Sequence, residues 1–201
     1  VTNRKKTTKV KLNRGFCVQT RNGEHFDPKV GKLSAVVVDD IAHALSNLCR
    51  FSGHCRSFYS VAEHSVLVSR IIRDAYPQDT NAIWAGLLHD ATEAYVGDIT
   101  TPLKDLLPQF KELEEQLAVK IAKKFKIRWD ERTLARVKTA DLIALSTEAK
   151  LLFEDISQWD IIKSYESKKY LVHPLFPVSP MTAKRMFMKE FERVLKEIEN
   201  E

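Results

Sequence analysis

From Trp84 to Ala94 the chain places His89, Asp90 and Glu93 inside a helical run whose other members include Trp84, Ala85, Leu87, Leu88, Ala91 and Ala94. A helix this apolar is buried over most of its surface, so the remaining chain must supply elements that surround it. The spacing predicts His89 and Glu93 on one face, with Asp90 beside them. Three ionisable groups in such a setting are costly unless they are paired or coordinated. A divalent cation would satisfy all three together.

The chain has the means to build that surround. Its 201 residues are 44% hydrophobic, enough for one core, and its six Gly and seven Pro are few for a chain that is 29% charged. The organisation expected is a basic flexible tail over 1–14 followed by a single domain over 15–201. A hairpin is expected over 16–26, where Phe16, Val18 and Thr20 alternate, Asn22-Gly23 supplies the positive φ angles of a tight turn, and Phe26 closes the return. Helical spacing begins at Asp39 and ends near Arg50, before Phe51-Ser52-Gly53-His54.

Ser60 and Glu63 form a capping box that opens a helix over 61–75. Asp79 or Thr80 caps the next, which is expected to run unbroken to about Tyr95 and stop at Gly97. Pro102 and Pro108 interrupt the following stretch, leaving a polar helix over about 109–126. Another runs from about Glu131 into the 150s, and Ser179-Pro180 opens a last one to about 198. Its apolar face, Met181, Met186, Phe187, Phe191, Val194 and Leu195, reads as core ahead of interface. The connection over 158–178, with Tyr165, Tyr170 and Phe176, reads as a lid or arm.

The net charge of +5 belongs to the tail. Arg4, Lys5, Lys6, Lys9, Lys11 and Arg14 stand there without an acid, and without them the remainder carries about −1. Cys17, Cys49 and Cys55 form no C-x-x-C pair, which favours a reducing compartment. With no apolar run of membrane-spanning length, the expected location is cytoplasmic, with no membrane partner.

His64, on the capped helix, and Asp141, in an apolar context, extend the candidate metal set to His64, His89, Asp90 and Asp141. Nitrogen and carboxylate donors suit Co, Mn, Zn, Fe or Mg, and four protein ligands leave two octahedral positions open, the mark of a catalytic site. This order of residues resembles the H…HD…D signature of HD-domain phosphohydrolases. The block from Ala85 through Lys104, with its His89-Asp90-Ala91, Glu93-Ala94 and Gly97-Asp98, is similar to the central block of bacterial 5′-deoxynucleotidases. Ser60 to Ser65 and Lys138 to Asp141 fit the same group, and the stretch from Asp40 to His54 resembles dATP triphosphohydrolases of some bacteriophages.

The resemblance, which covers about 40–150, implies an all-α HD-domain helical bundle with a small N-terminal β-hairpin. It implies a 2′-deoxynucleotide substrate, hydrolysed at the 5′ α-phosphate: a monophosphate releasing phosphate, or a triphosphate such as dATP releasing triphosphate. Glu93 takes or relays the proton of the attacking water, with Asp141 assisting. Arg50 and Lys104 meet the phosphate with Lys138, His54 adds a further donor, Phe51 stacks on base or sugar, and Asp98 accepts from the 3′-hydroxyl. No histidine lies between Asp90 and Asp141, whereas two-metal relatives place histidines there, so one cation is expected. Relatives self-associate, so a homo-oligomer is expected. The competing readings are a nucleic-acid-binding protein using the basic tail, which no groove-reading or RNA-binding motif supports, and a regulatory nucleotide-binding module, which the intact ligand set and Glu93 argue against.

Overall fold

The capping box at Ser60 sets the helix around which the others gather. In the computed structural model, which describes residues 17–29, 31–160 and 176–200, helix α2 spans Val61–Ala75. The Ser60 hydroxyl oxygen accepts the Glu63 N–H at 3.2 Å, and Glu63 Oε2 accepts the Ser60 N–H at 2.9 Å. Every residue from Val61 to Ser69 is buried. Helices α1 (Val38–Asn47), α3 (Thr80–Leu88), α7 (Glu131–Leu152) and α8 (Pro180–Glu199) pack around it. A Cβ on Gly86 of α3 would lie 2.5 Å from Ile72 Cδ1, so glycine permits the close approach of α2 and α3. Ser69 donates to the Ile83 carbonyl at 3.2 Å across the same contact.

Among the described residues the fold is all-α apart from a hairpin, β1 (Val18–Gln19) and β2 (His25–Phe26), antiparallel with Val18 opposite Phe26. The turn differs from the expectation at Asn22, because only Gly23 has positive φ, at 81°. Thr20 N–H donates to the Glu24 carbonyl and Gly23 N–H to the Thr20 carbonyl, giving a three-residue loop that needs one left-handed residue. Arg21 reaches Asp39 at 2.9 Å and the Asn22 N–H reaches Asp40 Oδ1 at 3.1 Å, which docks the turn on α1.

After α1 a short 3₁₀ turn covers Arg50–Gly53. Its walls are held by Arg50 N–H to the Tyr59 carbonyl and Val61 N–H to the Leu48 carbonyl. Phe51 and Ser52 adopt φ of 56° and 52°, left-handed backbone that costs a non-glycine residue about 1–2 kcal/mol. The thiols of Cys49 and Cys55, both free, flank this turn 3.6 Å apart.

The helix expected to reach Tyr95 is broken. Asp79 caps α3, accepting the Ala82 N–H at 3.1 Å, but α3 ends at Leu88 and α4 occupies Glu93–Val96. Between them the bonds shorten to i→i−3, from Ala91 to Leu88 and from Glu93 to Asp90. In such a turn residues three apart eclipse, so Asp90 and Glu93 align where an α-helix would align His89 and Glu93. Gly97, at φ 85°, ends α4.

Helices α5 (Thr101–Lys104) and α6 (Pro108–Phe125) follow the two prolines. Asp130 caps α7 and Ser179 caps α8, each accepting an N–H from three residues on. On α8 Phe187, Phe191 and Val194 are buried and Met186 packs on the core, whereas Met181 is 69% exposed and Leu195 37%. The face is therefore core through its middle and open at Met181. Arg73 of α2 ties α8 down through Glu190 and Glu197, at 2.8 and 2.7 Å. No helix among the described residues is long and apolar enough to cross a membrane. The basic tail and most of the 158–178 connection, including Tyr165 and Tyr170, lie outside the described residues; Phe176 is exposed.

Candidate metal centre

Two helices and one turn converge on a single point. Helix α2 brings His64, the turn after α3 brings His89 and Asp90, and α7 brings Asp141. His64 Nε2 lies 3.3 Å from His89 Nε2, 3.2 Å from Asp141 Oδ1 and 3.5 Å from Asp90 Oδ2. His89 Nε2 is 3.2 Å from the same Asp90 oxygen. One donor atom each from His64, His89 and Asp141 lie within 4.8 Å of one another, so this trio can hold a metal ion.

The second nitrogen of each ring decides what the first can do. His89 Nδ1 lies 2.9 Å from the Gly86 carbonyl, which only accepts, so Nδ1 carries the proton and Nε2 presents a lone pair. His64 Nδ1 lies 2.7 Å from Glu148 Oε1, which assigns it the same tautomer. Two lone pairs then face each other beside two carboxylates, an arrangement that repels itself without a cation or a shared proton. Burial and Arg50 work to lower the His64 pKa, but Glu148 and Asp141 overcome them and bring it up to about 10. The donor set fits a divalent ion, which would displace the proton that the carboxylates hold on His64: two imidazole nitrogens and carboxylate oxygens lie already oriented inward.

The carboxylates divide by environment. Burial opposes ionisation of Asp90, yet His89, His64 and Arg50 hold its pKa far below the usual carboxylate range. Asp141 is likewise lowered against burial by His64. Glu93 goes the other way: burial, then the charges of Asp90 and Asp98, push it up to about 10. Its Oε2 is buried with no hydrogen-bond partner among the described residues, and its Oε1 lies 3.6 Å from Lys104 Nζ. Burial also raises Asp98, which feels Arg50, Asp90 and Lys104.

The remaining sequence candidates separate into two groups. Arg50 is mostly buried, with Nε 3.1 Å from Glu148 Oε2 and Nη1 3.8 Å from Asp90 Oδ2, and its guanidinium carbon is 5.1 Å from the centroid of the Phe51 ring. Phe51 packs on Phe153 and Trp159, with ring centroids 5.0 and 6.1 Å away. Lys104 joins the centre through Glu93 and is anchored 2.8 Å from Glu114. His54 is exposed at the end of its turn, and Lys138 is exposed one helical turn before Asp141. No contact joins either side chain to the centre among the described residues.

Sequence reasoning missed Glu148, which is fully buried and bonds both His64 and Arg50. Burial works against its charge, but Arg50 and His64 hold its carboxyl below the ordinary value. A signal existed: Glu148 lies seven residues after Asp141 on α7, two turns along the same face, amid Ala144 and Ala149. Glu114, Phe153 and Trp159 had no comparable local signature.

The family model described as HD domain matches residues 61–174, more than half of the chain. The chain belongs to the HD-domain family. HD domains bind divalent metals, and membership implies a metal-dependent phosphohydrolase, in keeping with the trio of His64, His89 and Asp141. This HD domain is also 40% identical over 176 residues to the uncharacterized protein YfdR of Escherichia coli strain K12, covering 87% of this chain and 93% of that protein. A second relative, the uncharacterized protein RCAP_rcc00048 of Rhodobacter capsulatus, is 37% identical over 95 residues, or 45% of this chain and 48% of that one.

Proposed function

We propose that this HD protein hydrolyses the 5′ α-phosphate ester of 2′-deoxynucleotides, either dNMP to deoxynucleoside and phosphate or dNTP to deoxynucleoside and triphosphate. The observation that carries the reading is the pair of cations beside the metal trio: Arg50 near Asp90, and Lys104 near Glu93. A divalent ion attracts a phosphoryl oxygen, and two fixed cations at its edge complete the charge pattern an anionic ester requires.

His64, His89, Asp90 and Asp141 would hold one divalent ion, and the chemistry it would supply is Lewis acidity toward the phosphoryl oxygen and a lowered pKa for water. Glu93 takes the proton from the attacking water onto its unpartnered Oε2, while Lys104 steadies Oε1. Burial and then the charge of Asp90 most oppose Glu93 ionisation, so a cation ligated by Asp90 would remove one of those opposing charges and favour Glu93 as a base. Asp141 assists from α7. Arg50 draws charge from the phosphoryl oxygens, Phe51 offers a flat ring to the base or sugar, and Asp98 accepts from the 3′-hydroxyl. His54 and Lys138, exposed in this structure, serve as outer phosphate donors.

Incubation with Co, Mn, Zn, Fe or Mg and a panel of deoxy- and ribonucleoside mono-, di- and triphosphates tests the reading. Phosphate from dNMPs or triphosphate from dNTPs supports it and separates its two forms. No turnover of any nucleotide with any of these metals overturns it.

A further inference from the structure

Two thiols outside the metal centre face each other across the turn that carries Arg50. Cys49 Sγ and Cys55 Sγ lie 3.6 Å apart, and both side chains are free and half-buried. Sulfurs in a disulfide stand about 2.05 Å apart, so closure asks for roughly 1.5 Å of approach, a matter of small side-chain rotations. The backbone between the pair is what brings them together. It folds back through three consecutive residues of positive φ, Phe51 at 56°, Ser52 at 52° and Gly53 at 78°. The neck below is clasped by the Arg50 N–H, which donates to the Tyr59 carbonyl at 2.9 Å, and by the pairing of Cys49 with Ser60.

The two sulfurs are not equivalent. Cys55 Sγ lies 3.0 Å from the Ser57 carbonyl oxygen and 3.9 Å from that of Arg50, both of which only accept. Burial and the contact with Cys49 push the Cys55 thiol up, so it keeps its proton and Cys49 is the sulfur that reacts first. Ser52, Gly53 and His54, between the two cysteines, are exposed, which leaves the pair open to a small reagent.

We propose that Cys49 and Cys55 are a reversible redox site, closed to a disulfide by exchange with a low-molecular-weight disulfide, and that closure stiffens the turn carrying Arg50. The Cys49 thiolate attacks one sulfur of the reagent, forming a mixed disulfide and releasing the first thiolate. Cys55 then gives up its proton and attacks Cys49 Sγ, which closes the protein disulfide and releases the second thiolate. Two cysteine thiols are oxidised, the reagent is reduced to two thiols, and the two protons lost by the cysteines end on those thiols. Arg50 stands inside the closed ring, and its guanidinium reaches Glu148 at 3.1 Å and Asp90 at 3.8 Å. Closure therefore acts on a residue of the metal centre. Its bearing on phosphate binding rests on the proposed function, whereas the chemistry of the pair does not.

Incubation of the full chain with excess glutathione disulfide, followed by tryptic peptide mapping, tests the proposal without any nucleotide or metal. Cleavage after Arg50 separates the two cysteines, so a link between them joins two peptides and is read directly by mass. The expected product is a Cys49–Cys55 link that dithiothreitol reverses and that Cys17→Ser leaves intact. Cys55→Ser stops at one glutathione adduct, on Cys49. In the oxidised protein the Arg50 amide exchanges with deuterium several-fold more slowly than in the reduced one. Absence of the Cys49–Cys55 link overturns the proposal, as does a Cys55→Ser protein without an adduct on Cys49, or exchange at Arg50 that closure leaves unchanged.

Discussion

Helices α2 and α3 each deliver a histidine to the metal centre, by opposite means. His64 sits in the first full turn of an unbroken, capped helix that is buried on all sides from Val61 to Ser69, and it is the residue that this helix brings to the centre. His89 comes just after α3 has ended, in a tightened turn that passes His89, Asp90 and then Glu93 to the site within five residues. A regular helix positions one group rigidly. A 3₁₀ turn crowds several charged groups together, and the crowding separates their pKa values: Asp90 stays ionised while Glu93 rises to about 10. Position is set by packing in the first case and by mutual electrostatics in the second.

That contrast can be broken at either end. On the turn side, Glu93→Gln should lower phosphoester turnover by about 10²–10⁴-fold while bound metal, measured by atomic emission, stays at wild-type level. Wild-type turnover in this variant would remove Glu93 from the chemistry. On the α2 side, Glu148→Gln should weaken divalent affinity by about 10–100-fold, because His64 loses the carboxylate that fixes its tautomer. A calorimetric Mn²⁺ titration reads this directly, and an unchanged Kd would mean that packing alone orients the ring.

The smaller effects concern stability. Ser60→Ala removes the α2 cap and should cost about 1 kcal/mol in urea unfolding. A value near zero would show that burial holds the first turn without its cap. The smallest effect is expected at the hairpin dock, where the Lys184 hydrogen bond and the charges of Lys184 and Arg21 hold Asp39 below its ordinary pKa. A depressed carboxyl pKa stabilises the fold above the unfolded value near 4 and loses that contribution as pH falls through the folded value. Asp39→Asn should therefore destabilise by under about 0.5 kcal/mol at pH 7, with the gap closing below about pH 4. A gap that widened in acid would reverse the assignment.

The two helices also show why some of the molecule was legible in sequence and some was not. The caps at Ser60, Asp79 and Ser179 are local chemistry, an oxygen three residues before a free N–H, and the helices begin where those residues stand. The metal trio was legible because ionisable groups in apolar runs need a partner. The break at His89 was not, since an i→i−3 and an i→i−4 bond compete on the same residues and tertiary packing chooses between them. Glu148 was overlooked because its partners, Arg50 and His64, lie 98 and 84 residues away. The left-handed Phe51 and Ser52 carry no local signature, since neither is a residue that favours that backbone.

Glu148 also makes two affinities depend on each other. Its Oε1 serves His64 and its Oε2 serves Arg50, so one negative charge is shared between a candidate metal ligand and the arginine proposed to meet phosphate. Were Arg50 to turn toward an anion, as the proposed function requires, more of that charge would fall on His64, and its other nitrogen would become a better electron donor. By thermodynamic linkage the reverse holds equally, and an ion at the centre makes the arginine readier for its anion. On the proposed function, cofactor and substrate would strengthen each other's hold through a carboxylate that touches neither.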